Sequence, residues 1–200
     1  NKISYKLNNQ NYDVNYNFDS DNKLLNLQFN NSKIKINYDK LARISTKEID
    51  NGENSYITTL TYQDLEDANK TTSLVKSIKN GNNNELKYTY DKMGNIETIK
   101  EGDNLIVKYY YDELNQLIRE DNKKQEKTIT YEYDKGGNIL NKKEYLYTEN
   151  AINMMPITVI EYLYNNANWK DQLTSFDGKE ITYDQVGNIL TYNGNVYTWQ

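Results

Sequence analysis

Tyr88-Thr89-Tyr90-Asp91-Lys92-Met93-Gly94-Asn95-Ile96 carries the pattern on which the fold turns. It begins aromatic, any, aromatic, which is the period-two signature of a half-buried strand. Tyrosine suits that setting because it joins a large apolar body to a polar tip. Asp91 ends the strand, since its carboxylate can accept a backbone N–H two residues on. Gly94 follows three positions later, and glycine takes positive φ without a steric penalty. Ile96 starts an apolar return strand. A type I turn followed by a left-handed residue is a common hairpin connection. The nine residues therefore predict strand, tight turn, strand.

The same columns recur outward along the chain. They appear as Tyr16-Asn17-Phe18-Asp19 through Leu24, Ile36-Asn37-Tyr38-Asp39 through Ile44, and Tyr109-Tyr110-Tyr111-Asp112 through Leu117. They return as Tyr131-Glu132-Tyr133-Asp134 through Ile139 and as Ile181-Thr182-Tyr183-Asp184 through Ile189. A degenerate copy runs Tyr162-Leu163-Tyr164-Asn165-Asn166-Ala167-Asn168, followed by Trp169. Asp91, Asp112 and Asp134 lie 21 and 22 residues apart. Three positions after the acid stands Gly94, Gly137 or Gly187, or else Asn22, Asn115 or Asn168, and both types tolerate positive φ. Ala42 breaks that column, so a strained or different turn is expected there.

The opposite hairpin ends need turns as well. Asn80-Gly81, Asp177-Gly178 and Asn193-Gly194 are strong two-residue hairpin signals. Glu101-Gly102-Asp103-Asn104 supplies another, and Gln125 to Lys127 and Asn51-Gly52 are weaker ones. Asp64 to Lys79 offers a helix, but Thr71-Thr72-Ser73 interrupts it and Leu74-Val75-Lys76-Ser77-Ile78 reads better as strand. Asn150 to Pro156 reads as a loop or edge excursion, given the only proline of the chain. The expected fold is all-β: consecutive long antiparallel hairpins in a curved, spiralling sheet. The whole of 1–200 is expected to be a single segment, with the clearest repeats at about 16–48 and 86–200.

Composition narrows the chemistry. The chain has no Cys and no His, which removes disulfides, thiol nucleophiles, thiolate zinc sites and imidazole bases. The 24 basic and 29 acidic residues are interspersed, where a nucleic-acid binder carries a basic patch. No apolar run approaches the ~18 residues of a membrane helix. The sequence begins at Asn1 and stops in mid-pattern at Gln200, so part of a longer protein is expected.

The motif Tyr-Asp-x-x-Gly-Asn-Ile at this spacing resembles the RHS/YD-repeat family. One Tyr-Asp step is uninformative; six aligned copies with a Gly/Asn column are specific. The stretch from Asn168-Trp169 through Tyr183-Asp184 to Trp199 is most similar to the last repeats of bacterial members. The resemblance implies a hollow structural shell that encloses a C-terminal toxin, in a secreted or cell-surface bacterial protein of the polymorphic-toxin or wall-associated kind. It implies adjoining repeats and a toxin domain as partners. The aspartyl self-cleavage motif that typically closes such a core contains Asp-Pro, and this sequence has none.

The motif residues are Tyr90, Asp91, Gly94, Asn95, Tyr111, Asp112, Asn115, Tyr133, Asp134, Gly137, Asn138, Tyr183, Asp184, Gly187 and Asn188. Their recurrence argues for turn-capping acids rather than one paired-carboxylate active site, so no catalysis is expected. Asp19-Ser20-Asp21-Asn22 lacks the spaced oxygens, Gly and distal Glu of an EF-hand loop. No metal, cofactor or nucleic acid is expected. The tyrosines are expected to pack as cross-strand pairs on one face, with a sugar-binding ladder as the alternative. Trp169 and Trp199 are glycan-platform candidates, or else covers for a sheet end or loop. Two functions remain: a shell that encapsulates or presents an effector, and an extracellular carbohydrate- or partner-binding adhesin. Open sheet edges would also favour self-association.

Overall fold

The computed structural model describes residues 1–64, 72–83 and 85–199. Just over half of the chain lies in strands, and the described residues contain eighteen strands and no helix. Among the described residues each strand pairs antiparallel with its neighbour in sequence, mostly through short turns. The all-β hairpin architecture expected from the Tyr-Asp columns is present. The chain divides into two compact units, Asn1–Tyr90 with Ile99–Asn104, and Asp91–Thr98 with the residues from Leu105 onward.

The first unit is a meander of β1 (Lys2–Leu7), β2 (Gln10–Phe18), β3 (Leu24–Phe29), β4 (Ser32–Tyr38), β5 (Ile44–Asp50), β6 (Ser55–Tyr62), β7 (Val75–Asn80) and β8 (Leu86–Tyr90). Strand β9 (Ile96–Glu101) contributes residues to both units. The second meander comprises β10 (Asn104–Tyr111), β11 (Leu117–Asn122), β12 (Lys127–Tyr133), β13 (Ile139–Leu146) and β14 (Thr158–Leu163). It continues with β15 (Ser175–Phe176), β16 (Lys179–Tyr183), β17 (Ile189–Tyr192) and β18 (Asn195–Val196).

Tyr38, Tyr62, Tyr111, Tyr133 and Tyr183 each sit at a bulge. Tyr133 pairs with Ile139 while Glu132 pairs with Asn141, so Leu140 is the extra residue. The same slip puts Ser45 outside the ladder beside Tyr38, Ile118 beside Tyr111 and Leu190 beside Tyr183. One residue inserted into one strand bends it and increases its twist. The pair next to each bulge is often a side-chain clasp. Asn37 Nδ2 donates to Thr46 Oγ1 at 2.7 Å, Asn141 Nδ2 to Glu132 Oε2 at 2.9 Å, and the Thr182 and Thr191 hydroxyls meet at 2.6 Å. The middle position of the aromatic-any-aromatic step, unconstrained in the sequence reading, is thus a cross-strand pairing site.

Such a sheet has little interior. Among the described residues the buried apolar side chains are Val107, Ile129, Tyr145 and Ile181. A buried polar cluster anchors the irregular stretch after β13. Asp121, 3% exposed, accepts from Arg119 Nε at 2.7 Å, and Thr128 Oγ1 lies 3.1 Å from the same carboxylate oxygen. Arg119 Nη2 reaches the Thr148 carbonyl at 2.8 Å and the Asn150 carbonyl at 2.9 Å. The Thr148 N–H donates back to Thr128 Oγ1. The chain leaving β13 is therefore pinned to β11 and β12 before the Met154-Met155-Pro156 stretch, which contains no strand.

Several expectations need correction. Asn168 does not adopt positive φ, unlike its counterparts in the turn column. Its loop is closed by Asn166 instead, whose Oδ1 accepts from the N–H groups of Asn168 and Trp169. Ala42 meets the strained alternative of its expectation: it keeps the turn of the glycines, its N–H bonded to the Asp39 carbonyl at 3.0 Å, with φ at 61° in the left-handed region. Asn8-Asn9 and Asn30-Asn31 are hairpin turns that the sequence reading passed over, with Asn8, Asn9 and Asn30 at positive φ. Thr71, invoked against a helix, lies outside the described residues; β7 covers the strand expected after it.

Candidate functional site

The recurring feature is one turn built from one carboxylate. The Asp91 N–H donates to the Asn95 carbonyl at 2.9 Å, and the Gly94 N–H donates to the Asp91 carbonyl at 3.1 Å. Inside that frame Asp91 Oδ1 accepts the Met93 and Asn95 N–H groups, both at 2.9 Å. Asp91 Oδ2 accepts Asn95 Nδ2 at 2.9 Å. Asp134 and Asp184 repeat the whole set with Asn138 and Asn188. At Asp112 the two N–H bonds come from Leu114 and Gln116. At Asp39 the second oxygen takes the Arg43 guanidinium at 2.7 Å, and at Asp19 it faces Lys23 Nζ at 3.3 Å.

The turn demands its third residue in the left-handed region. Gly94, Gly137 and Gly187 have φ of 89°, 87° and 92°, and Asn22 and Asn115 both have 62°. The Asn after the glycine has a separate role: its amide saturates the second carboxylate oxygen. Asn95 Nδ2 also reaches Asn115 Oδ1 at 2.9 Å, and Asn138 Nδ2 reaches Asp171 Oδ1 at 3.1 Å, which ties neighbouring turns together.

At Asp19, Asp39, Asp91, Asp134 and Asp184 these bonds favour the ionised form. The side-chain amide bond from Asn95, then the backbone N–H groups, keep Asp91 below the usual carboxylate range. Asp134 and Asp184 are lowered in the same way by Asn138 and Asn188. The Lys23 N–H leads the lowering at Asp19; at Asp39 burial pushes upward, and the Arg43 bonds more than offset it. Carboxylates whose oxygens are filled by their own loops close turns; they are poorly placed to relay protons.

The tyrosines perform a second task. Tyr133 Oη donates to the Leu117 carbonyl at 2.8 Å. Leu117 is the residue that starts the return strand of the preceding motif. The same stitch links Tyr38 to Leu24, Tyr62 to Ile44, Tyr90 to Val75, Tyr111 to Ile96 and Tyr183 to Leu173, at 2.7–3.0 Å. Tyr90, Tyr111 and Tyr133 are half-buried and share this one arrangement. Tyr62 reveals a further copy, in which Gln63 takes the place of Asp and its N–H bonds the Leu74 carbonyl. The intervening 65–71 lie outside the described residues.

The two tryptophans sit inside the same scheme. Trp199 Nε1 donates to the Ile189 carbonyl at 2.8 Å, the acceptor a following tyrosine would use. The Trp169 ring lies over the Gly187 turn, where an added Cβ would meet Cη2 and Cζ3 at 2.9 Å. Both indoles remain about half exposed, at 50% and 57%.

Two expected outcomes follow from this geometry. Tyr133→Phe removes one donor and leaves the Leu117 carbonyl without its partner, at a cost of about 1 kcal/mol. Urea unfolding measures it, and an unshifted midpoint would mean that solvent replaces the hydroxyl at no cost.

Stability should also fall at both ends of the pH scale. The lowered Asp groups contribute above their ordinary value of 3.8, and that contribution is lost as pH falls through the folded values. Burial raises Tyr90, Tyr111, Tyr133 and Tyr183 above 10.0, and the Glu149 bond, with burial, lifts Tyr147 to about 12. A raised group stabilises fully below its unfolded value and ceases to as pH climbs through the folded one. The alkaline loss should therefore run from about pH 10 upward, and circular dichroism against pH detects both limbs.

No family model and no curated protein sequence matches this chain. Solved structures do. The structure of TcdB2-TccC3 without its hypervariable C-terminal region is 14% identical and covers 94% of this chain and 12% of its own, with a TM-score of 0.50. TcdB2-TccC3 is 14% identical over 90% of this chain and 12% of that one, at 0.49. The Photorhabdus luminescens Tc holotoxin pore is 15% identical over 90% and 12%, at 0.47. This chain therefore spans about an eighth of the length of the proteins it is similar to. The first of these likenesses establishes a shared fold.

Proposed function

We propose that this chain is a structural run of YD-repeat hairpins from the shell of a secreted, bacterial toxin-like protein that encapsulates or presents a C-terminal effector. The observation that carries the reading is the coupling of turn and stitch. At Asp39, Asp91, Asp112, Asp134 and Asp184 the hairpin closes on its own aspartate, and the tyrosine before it fastens it to the hairpin before. A motif built to join like to like extends a wall and commits its aspartate to the turn. The fold shared with TcdB2-TccC3 without its hypervariable C-terminal region supports the same reading. On this view 1–200 is one continuous segment, its Tyr-Asp-Gly-Asn residues are architectural, and its partners are adjoining repeats and an effector domain. The chain takes no cofactor or nucleic acid.

The half-exposed rings of Trp169 and Trp199 favour a second reading, a cell-surface adhesin that grips a glycan or protein. Limited proteolysis of the natural full-length protein separates the two. Under the shell reading, sequence downstream of this segment resists protease until the wall is opened by denaturant. Immediate cleavage downstream, with binding of the segment to a glycan array lost in Trp169→Ala and Trp199→Ala, would overturn the shell and support the adhesin.

A further inference from the structure

Two grooves in the second unit are related by the repeat. The first, about 500 Å³, follows the Asp91 turn; Met93, Glu97, Tyr109, Tyr111 and Glu113 contribute to it. The second, about 430 Å³, follows the Asp134 turn, with Leu140, Tyr162, Tyr164, Asn166 and Lys170. Glu97 and Leu140 each stand six residues after the motif acid, and Glu113 and Asn166 each stand second in the next turn. The same geometry thus carries two chemistries. The first groove has four acids and no basic residue on its wall; the second has asparagines and a lysine.

The four acids are unequal. Asp91 is saturated by its own loop, and Asp112 Oδ1 already accepts two N–H groups. Glu97 and Glu113 are exposed and make no ion pair among the described residues. Two uncommitted carboxylates therefore flank a wall of tyrosine and methionine.

We propose that this groove binds the cationic side chains of a basic peptide segment, a lysine or arginine on an extended stretch of a partner protein. Charge complementarity selects the occupant. An ammonium or guanidinium would meet Glu97 and Glu113, and its aliphatic stem would lie along Met93. Tyrosine ring faces attract such cations. The chain uses the same pairing within itself, with the Arg43 guanidinium 4.1 Å from the Tyr62 ring centre and that of Arg119 5.3 Å from Tyr110. Acidic segments would be repelled, and neutral ones would leave both carboxylates unmatched. The inference stands on the groove alone and does not depend on the shell reading.

Calorimetric titration of the chain with a short oligoarginine peptide tests it. Three proteins are compared: the natural chain, Glu97→Gln with Glu113→Gln, and Glu53→Gln with Glu180→Gln. The two double variants lose the same charge, and only the first loses it in the groove. The groove variant should bind about tenfold more weakly or worse, and the distant variant should bind nearly as well as the natural chain. All three should unfold at the same urea concentration. Equal weakening by both variants would reduce the effect to the net charge of −5 and overturn the site. So would absence of saturable binding to the natural chain, or calcium binding in the groove without the peptide.

Discussion

Gly187→Val is expected to destabilise the chain by about 3 kcal/mol, from backbone strain and overpacking together. Gly187 holds φ at 92°, a conformation that a β-branched residue enters only under strain. Any Cβ there also meets the Trp169 ring at 2.9 Å. Gly94 supplies the internal control: its φ is 89°, but an added Cβ finds nothing within 4 Å. Gly94→Val should therefore show the strain without the clash. Gly187→Val in a Trp169→Ala background should fall back toward the Gly94→Val value, which a double-mutant cycle in urea reads directly. Equal losses at the two glycines, with no coupling to Trp169, would refute the ring contact.

Arg119→Met should have an effect of similar size for an electrostatic reason. Asp121 is almost entirely buried, and its Oδ2 has no hydrogen-bond partner among the described residues. Removing the guanidinium strips it of its ion-pair partner and takes one donor each from the Thr148 and Asn150 carbonyls. Breaking one side of a buried pair costs about 3–5 kcal/mol. The Arg119 side chain is 18% exposed, which places the expectation at about 3 kcal/mol, near the lower end. Arg119→Met with Asp121→Leu should recover much of the loss, since removing both charges leaves nothing unpaired. Amide exchange should show residues 147–150 opening first in the single variant; unchanged protection there would sink the assignment.

The hairpins were legible in the sequence because their chemistry is local. Asp91, Gly94 and Asn95 satisfy one another within five residues, so spacing alone exposes the turn. The tyrosine stitch was not legible, because its acceptor is a backbone carbonyl, which leaves no mark in the sequence. Tyr133 and Leu117 are related only through the sheet. Asn8-Asn9 and Asn30-Asn31 were missed because asparagine without glycine is a weaker hairpin signal, although asparagine also accepts the left-handed region. The Tyr62 copy was hidden by Gln63 in the acid column and by residues inserted before Leu74. Asn168 misled in the opposite direction: it fits the column, but without an aspartate three residues earlier the turn has no frame to hold it. The aromatic pattern announced Trp169 and Trp199 as exceptional, and only the contacts show one on a glycine turn and the other on the Ile189 carbonyl.

The stitches all run one way. In each, the later residue donates the hydrogen bond and the earlier residue's carbonyl accepts it, from Tyr38 to Leu24 through to Trp199 and Ile189. During synthesis a hairpin leaving the ribosome thus finds its acceptor already laid down, and it never waits for sequence yet to be made. The partners are 10 to 18 residues apart, so loop closure is inexpensive at every step. The order of these bonds is that of a zipper which needs nothing beyond the residues already made to close from the amino end.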